Sequence, residues 1–107
     1  MKNILITGGA GFIGSNLANF LIKKKFNITV IDDLSIGKRN NIKNKKIIFV
    51  NRDILDINKI KFKKKFHSVV HLAAKAEILI PKKKEDIYYE SNISGLQSVL
   101  NFTANRG

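Results

Sequence analysis

The chain has 107 residues, no cysteine and a formal net charge of +12, from 20 Lys and Arg against 8 Asp and Glu. This length favours one domain with a modest core, and the lack of cysteine excludes disulfides and thiolate metal sites. An apolar run of only a few residues follows Lys2, which is too short for a signal peptide or a membrane span. We therefore expect a cytoplasmic protein with no metal and no membrane contact.

The positive charge has two interpretations. A basic surface is typical of nucleic-acid binding, but the chain has 17 Lys, 17 Ile and 12 Asn against 3 Arg. Lys, Ile and Asn are encoded by AT-rich codons, and surfaces that read phosphates usually recruit more arginine. We favour compositional bias and expect no nucleic-acid partner.

Strands are predicted where short apolar runs occur, at residues 4–6, 28–31, 47–50 and 69–73. Each run is continuous rather than alternating, which is typical of parallel strands covered on both faces. The polar, basic residues 35–44 read as a surface loop.

Helices are predicted between the strands, giving the order β-α-β-loop-β-α-β-α. The first would present one apolar face formed by Ile13, Leu17, Phe20 and Leu21. Asp56 is expected to cap a short helix carrying Ile57 and Ile60. Asp86 is expected to cap a longer helix that reaches about Ala104, with one face formed by Asn92, Gly95, Leu96, Val99 and Thr103. Alternation of strands and helices predicts an α/β fold with a doubly wound parallel sheet of about four strands in the order 3-2-1-4.

A glycine motif, Thr-Gly-Gly-Ala-Gly-Phe-Ile-Gly, fills residues 7–14 between the first predicted strand and helix. Gly8 would permit a tight turn, Gly11 a close approach of a pyrophosphate, and Gly14 close packing of helix on strand. The helix N-terminus would offer N–H groups and partial positive charge to the phosphates. An ordinary glycine-rich turn is the alternative, but the flanking strand and helix favour a dinucleotide site.

Asp32 ends the second predicted strand, 18 residues after Gly14. An acidic residue about 20 positions after the motif accepts hydrogen bonds from the adenosine ribose. Its charge would repel a 2′-phosphate, so we expect NAD rather than NADP, although Lys38 and Arg39 could pair with such a phosphate. The alternative is a solvated aspartate in a turn.

Further candidates follow the third and fourth predicted strands, because ligands of open α/β sheets bind outside the carboxyl ends of strands. Asp53 taken alone fits a turn better than a ligand site. Asn92 either contacts a cofactor or makes a structural bond, and both interpretations stay open.

His71 is more typical of a hydrogen-bonded core histidine than of a catalytic base. The basic, phenylalanine-containing segment 61–66 is more typical of a solvated helix end than of an RNA contact.

Five segments together resemble the NAD-dependent sugar-nucleotide epimerases and dehydratases of the extended short-chain dehydrogenase/reductase family, with UDP-galactose and UDP-glucuronate 4-epimerases as the nearest types. They are residues 7–17, 30–37, 53–56, 70–76, and Tyr88 with 92–95. The resemblance implies a Rossmann-type fold and NAD as cofactor. The cofactor-site residues predicted from motif and resemblance are Gly8, Gly11, Phe12, Ile13, Gly14, Asp32, Asp33, Ser35, Gly37, Asp53, Ile54, Leu72, Ala73, Ala74 and Asn92.

The resemblance also implies a Tyr-x-x-x-Lys pair that acts on the sugar, located in the family beyond the length of this chain. No such pair occurs here, because Tyr88 is followed four positions later by Asn92 and Tyr89 by Ile93. We therefore expect residues 1–107 to form an incomplete NAD(P)-binding domain with no catalytic residue. A nucleotide-sugar substrate would bind only a full-length form.

Two other functions stay open. One is a non-catalytic nucleotide-sensing or interaction module, in which an unpaired edge of the fourth strand invites homo-oligomers. The other, less favoured, is a basic nucleic-acid-binding protein.

Overall fold

The computed structural model describes residues 2–35, 37–73 and 95–106. Its sheet has the parallel strands β1 (Asn3–Thr7), β2 (Asn27–Ile31), β3 (Ile48–Val50) and β4 (Ser68–His71). Their spatial order is β3-β2-β1-β4, which confirms the predicted fold class and strand order.

In the described part of the chain, two α-helices and two short 3₁₀ helices accompany this sheet. The α-helices are α1 (Phe12–Lys23) and α2 (Gly95–Arg106), and the 3₁₀ helices span Arg39–Asn41 and Ile54–Lys59. Within the described ranges, no helix is long and apolar enough to cross a bilayer.

The strand register aligns the carboxyl ends of all four strands. Thr7 pairs with Ile31 on one side and with His71 on the other, and Ile31 pairs with Val50. The loops that leave these strands therefore begin in one row at one edge of the sheet. This is the edge where a ligand of an open parallel sheet binds.

Both faces of the sheet are covered, as the continuous apolar runs predict. One face packs with α1 and the loop after β2, through Ile4, Ile6, Ala18, Ile28, Val30, Ile42 and Ile47. The other packs with the second 3₁₀ helix and α2, through Leu5, Ile31, Ile54, Ile57, Val99 and Phe102.

The predicted inner face of α1 is wrong in part. Gly14, Ser15 and Ala18 are its buried residues, whereas the side chains of Ile13 and Phe20 are 70% and 57% exposed. Small residues let the helix axis approach the sheet closely, and this contact decides which way the larger side chains point. Leu17 and Leu21, the other two members of the predicted face, are partly buried and pack against the core. The pattern of large apolar residues therefore gave half of the inner face.

The segment after β3 also differs from its prediction. It forms a 3₁₀ helix that begins at Ile54 and is capped by Asp53, whose carboxylate accepts a hydrogen bond from the Leu55 N–H at 2.9 Å. Asp56 lies within the helix and pairs with Arg52 and Lys59 at its surface. The helix cap is therefore Asp53, and the prediction of Asp56 as the cap is wrong.

The inner face of α2 is centred on Gly95, Val99 and Phe102, which are buried. Leu96 is 41% exposed and Thr103 is also exposed, so these two members of the predicted face are wrong. The Phe102 ring packs edge-on against the Phe62 ring, with 5.6 Å between their centroids. This contact turns the Phe102 side of α2 toward the core. Asp86 and Asn92 lie outside the described residues.

Replacing Phe102 tests this rotation. Phe102→Ala is expected to lower the free energy of unfolding by about 3–5 kcal/mol, because it leaves a cavity in the core. Leu100→Ala, on the exposed face of the same helix, is the matched control and should change it by less than about 0.5 kcal/mol. Urea denaturation measures both, and equal losses would contradict the observed face.

Candidate functional site

The turn between β1 and α1 depends on Gly8 for two reasons. Its φ is +70°, a conformation that side chains disfavour, and a Cβ there would lie 2.7 Å from both the Leu72 carbonyl carbon and the Ala73 nitrogen. The Gly8 N–H also donates to the Ile31 carbonyl at 2.8 Å. Gly8 therefore holds the ends of β1, β2 and β4 together.

Gly14 and Gly9 are required by packing. A Cβ on Gly14 would overlap the Gly8 carbonyl oxygen and lie 2.8 Å from the Gly9 Cα, so α1 packs on the turn itself. A Cβ on Gly9 would lie 2.5 Å from the Val30 Cγ1. Sequence reasoning assigned no role to Gly9, although its place beside Gly8 directly after a buried strand was a usable signal.

Gly11 differs from the other glycines of the turn. A Cβ there would meet one described atom within 4 Å, the Gly8 carbonyl oxygen at 3.4 Å, which is an ordinary contact. Gly11 is the N-cap of α1 and supplies no side-chain cap, and the first helical turn has no acidic residue. The amides of that turn have no partner within the helix, so this end suits an anion. Phe12 and Ile13 lie there with exposed side chains.

Asp32 lies directly after β2 and is 7% exposed. Its Oδ2 accepts a hydrogen bond from the Ala10 N–H at 3.0 Å, and its Oδ1 accepts one from the Leu34 N–H at 2.7 Å. The carboxylate therefore joins the glycine turn to the loop after β2. The interpretation of Asp32 as a solvated turn residue is wrong, because it is buried.

The loop after β2 lies against the back of the glycine turn. The Lys38 N–H and the Asn41 side-chain amide both donate to the Ala10 carbonyl, at 3.1 and 2.8 Å. A Cβ on Gly37 would lie 2.6 Å from the Ala10 carbonyl carbon, so Gly37 permits this contact. Leu34 has a φ of +63°, and the bond to Asp32 holds this unusual backbone.

Two predicted residues of the same loop, Asp33 and Ser35, are exposed. The Ser35 N–H donates to Asp33 Oδ1 at 2.9 Å. Arg39 lies farther along, with its guanidinium 4.5 Å from the Phe49 ring centroid and a hydrogen bond to the Ile42 carbonyl at 3.3 Å.

The other predicted residues take different places. Asp53 is exposed and acts as a cap, and the Ile54 side chain is buried against Gly95. Leu72 and Ala73 lie at the end of β4 beside Gly8. Ala74 and Asn92 lie outside the described residues.

Thr7 is a residue that sequence reasoning missed. It is fully buried, and its Oγ1 lies 2.7 Å from His71 Nδ1. The same oxygen accepts hydrogen bonds from the N–H groups of Leu72 and Ala73 at 3.0 and 3.2 Å. Burial lowers the pKa of His71 below its ordinary value. The preference for a hydrogen-bonded core histidine agrees with these contacts.

The phenylalanines of segment 61–66 pack inward. The Phe62 and Phe66 rings meet edge-on at 5.1 Å between centroids, and Phe62 also contacts Phe102. Both are only partly accessible, while the lysines between them are exposed. This arrangement supports the solvated interpretation over base stacking.

Comparison with known proteins agrees with this geometry. The profile of a family described as "NAD dependent epimerase/dehydratase family" matches residues 4–107. The chain belongs to the NAD-dependent epimerase/dehydratase family. The resemblance noted in the sequence is thereby confirmed.

Individual family members match over nearly the whole chain. UDP-glucose 4-epimerase of Lactobacillus helveticus is 35% identical over 100 residues, which cover 91% of this chain and 30% of the relative. The structure of Thermotoga maritima UDP-glucose 4-epimerase with UDP-glucose has a TM-score of 0.90 at 35% identity, covering 98% of this chain and 35% of that one. The Brucella ovis UDP-glucose 4-epimerase with NAD has a TM-score of 0.81 at 34% identity, covering 94% and 31%. The chain thus spans about a third of the length of these relatives.

The glycines of this epimerase/dehydratase chain give a stability prediction. Gly14→Ala should lower the free energy of unfolding by about 1–3 kcal/mol, since its Cβ has no room against the turn. Gly11→Val should lower it by less than about 1 kcal/mol, because the site is open and only the helix cap changes. Denaturant titration compares the two, and a larger loss for Gly11→Val would contradict this assignment.

His71 gives a pH prediction. Its pKa in the folded chain is lowered, whereas in the unfolded chain it is about 6.5. The unfolded state therefore binds more protons between these two values, and the free energy of unfolding falls as the pH drops from about 6.5 through the folded pKa. Denaturant titrations across this range should show a shallower decline in His71→Asn than in the wild type. An unchanged slope in His71→Asn would refute the assignment.

Proposed function

We propose that this chain is the NAD-binding N-terminal part of a UDP-sugar 4-epimerase and holds the adenosine diphosphate half of NAD along the carboxyl ends of β1 and β2. The observation that carries the proposal is the buried Asp32 carboxylate bonded to the glycine turn. This carboxylate can accept hydrogen bonds from hydroxyl groups. It lies beside the N-terminus of α1, where no side chain caps the helix.

The pyrophosphate fits the N-terminal end of α1. The first-turn amides are donors without partners in the helix, and the helix dipole adds partial positive charge. The open surroundings of Gly11 support this placement, because packing among the described residues does not require glycine there. A ligand that lies against the backbone would account for glycine at a position where packing tolerates a side chain.

The adenosine ribose fits Asp32. Each carboxylate oxygen has two lone pairs, and each accepts one recorded hydrogen bond from a backbone N–H. Within the described ranges, one lone pair on each oxygen is thus available to a ribose hydroxyl. The two backbone bonds keep the carboxylate in place for that role.

NAD is favoured over NADP by two features of the loop after β2. A 2′-phosphate would lie against the buried Asp32 carboxylate, and this like-charge contact is unfavourable. Arg39 is directed to the Phe49 ring and the Ile42 carbonyl, so pairing with a 2′-phosphate would cost it both contacts.

The nicotinamide half would extend toward β4, where Leu72 and Ala73 lie beside Gly8. Bound NAD supplies reversible hydride transfer, while the residues of this chain bind and orient it. Matching enzymes named for UDP-glucose suggest a UDP-sugar substrate. The 107 residues contain no Tyr-x-x-x-Lys. We therefore propose that they bind the cofactor but do not convert the sugar by themselves.

Calorimetry tests the cofactor proposal. NAD and ADP-ribose should each bind with one site per chain, and NADP should bind at least about tenfold more weakly. Gly11→Val should abolish binding because its side chain fills the pyrophosphate position. Asp32→Asn should weaken binding by about 1.5–3 kcal/mol because hydrogen bonds to the charged carboxylate are lost.

The matched control is Asp56→Asn, which removes a partly exposed carboxylate on the second 3₁₀ helix and should bind NAD like the wild type. Failure of both NAD and ADP-ribose to bind the folded wild-type chain would contradict the proposal. So would wild-type affinity in Gly11→Val. Conversion of UDP-glucose by the chain in the presence of NAD would contradict the proposal that these residues do not convert the sugar by themselves.

A further inference from the structure

The Thr7 hydroxyl lies at the junction of β1, β4 and the glycine turn. Thr7 is fully buried, so no solvent reaches its hydroxyl. Three nitrogens surround Oγ1: His71 Nδ1 at 2.7 Å, the Leu72 N at 3.0 Å and the Ala73 N at 3.2 Å. Their geometry determines where the protons lie.

A threonine hydroxyl has one proton to donate and two lone pairs to accept with. The Leu72 and Ala73 nitrogens are backbone donors, so they use both lone pairs. The remaining contact must then use the hydroxyl proton, which requires His71 Nδ1 to be an acceptor. If Nδ1 carried a proton, Oγ1 would face three donors, and its own proton would have no partner among its recorded contacts.

We propose that Thr7 and His71 are a positioning pair, in which neutral His71, protonated on Nε2, orients the Thr7 hydroxyl so that its lone pairs hold the Leu72 and Ala73 amides beside Gly8. This role rests on the proposed cofactor site, because those two residues form the rim over which the nicotinamide half would lie. The desolvation that lowers the pKa of His71 supports the neutral form.

The two held amides are not equivalent. The Leu72 N–H is shared between Oγ1 and the Thr7 carbonyl oxygen, at 3.0 and 2.9 Å. The Ala73 N–H has one recorded acceptor, Oγ1 at 3.2 Å. Loss of the Thr7 hydroxyl should therefore expose the Ala73 amide to exchange more than the Leu72 amide. General loosening of β4 would speed exchange of both amides.

The first test is the tautomer of His71. Long-range proton–nitrogen correlation spectra of the folded chain near pH 7.5, with His67 as the second imidazole in the same spectrum, assign the protonated ring nitrogen. Protonation of His71 at Nε2 is the expected result. Protonation at Nδ1 would overturn the proposal.

The second test compares Thr7→Val, which removes the hydroxyl at nearly constant shape, with Thr7→Ser, which keeps it. Thr7→Val should speed amide exchange of Ala73 at least about tenfold, and Leu72 less. It should also weaken NAD binding by about tenfold. Thr7→Ser should stay within about threefold of the wild type in both. Unchanged Ala73 exchange, or unchanged NAD affinity, in Thr7→Val would overturn the pair's role.

A second pair of variants covers the case in which Thr7→Val does not fold. His71→Asn keeps an acceptor near the Nδ1 position, and His71→Leu removes it. Faster Ala73 exchange in His71→Leu than in His71→Asn supports the proposal, and equal rates would overturn it. If the wild-type chain binds neither NAD nor ADP-ribose, the cofactor proposal fails, whereas an Nδ1-protonated His71 refutes only the pair.

Discussion

The buried Asp32 carboxylate is the interaction on which the site depends. A buried charge is costly unless it is hydrogen-bonded, and here the bonds come from Ala10 and Leu34, on two different loops. The Ala10 carbonyl is held in turn by Lys38 and Asn41. Both polar groups of the Ala10 residue are therefore fixed by the loop after β2.

The strand register explains why these groups meet. Thr7, Ile31 and His71 lie in one row, so the glycine turn, the Asp32 carboxylate and the end of β4 start from the same edge of the sheet. Among the described residues, a buried hydrogen bond at Asp32 and a partly buried one at Thr7 fasten this edge. The strands supply the alignment, and the side-chain hydrogen bonds give each loop its position.

The sequence predicts the four strands, their order, the glycine turn and Asp32, because continuous apolar runs and glycine spacing depend on local rules. It predicts the inner faces of the helices only in part. In α1 the contact is made by Gly14 and Ala18, which carry little hydrophobic signal, and in α2 by Phe102, whose partners lie far away in the chain. The role of Thr7 also depends on a contact 64 residues away, which no local pattern reveals. The predicted contacts of Ala74 and Asn92 fall outside the described residues and stay predictions.

The most direct test of the proposed NAD site is a titration of the nitrogen-labelled chain with NAD, followed by amide chemical shifts. Saturable shifts are expected at Gly11, Phe12 and Ile13 and at the two amides bonded to Asp32, those of Ala10 and Leu34. The lysine-rich segment 61–66 should stay unshifted. Shifts concentrated in that segment, or no saturable shift at the glycine turn, would contradict an NAD site at the carboxyl ends of β1 and β2.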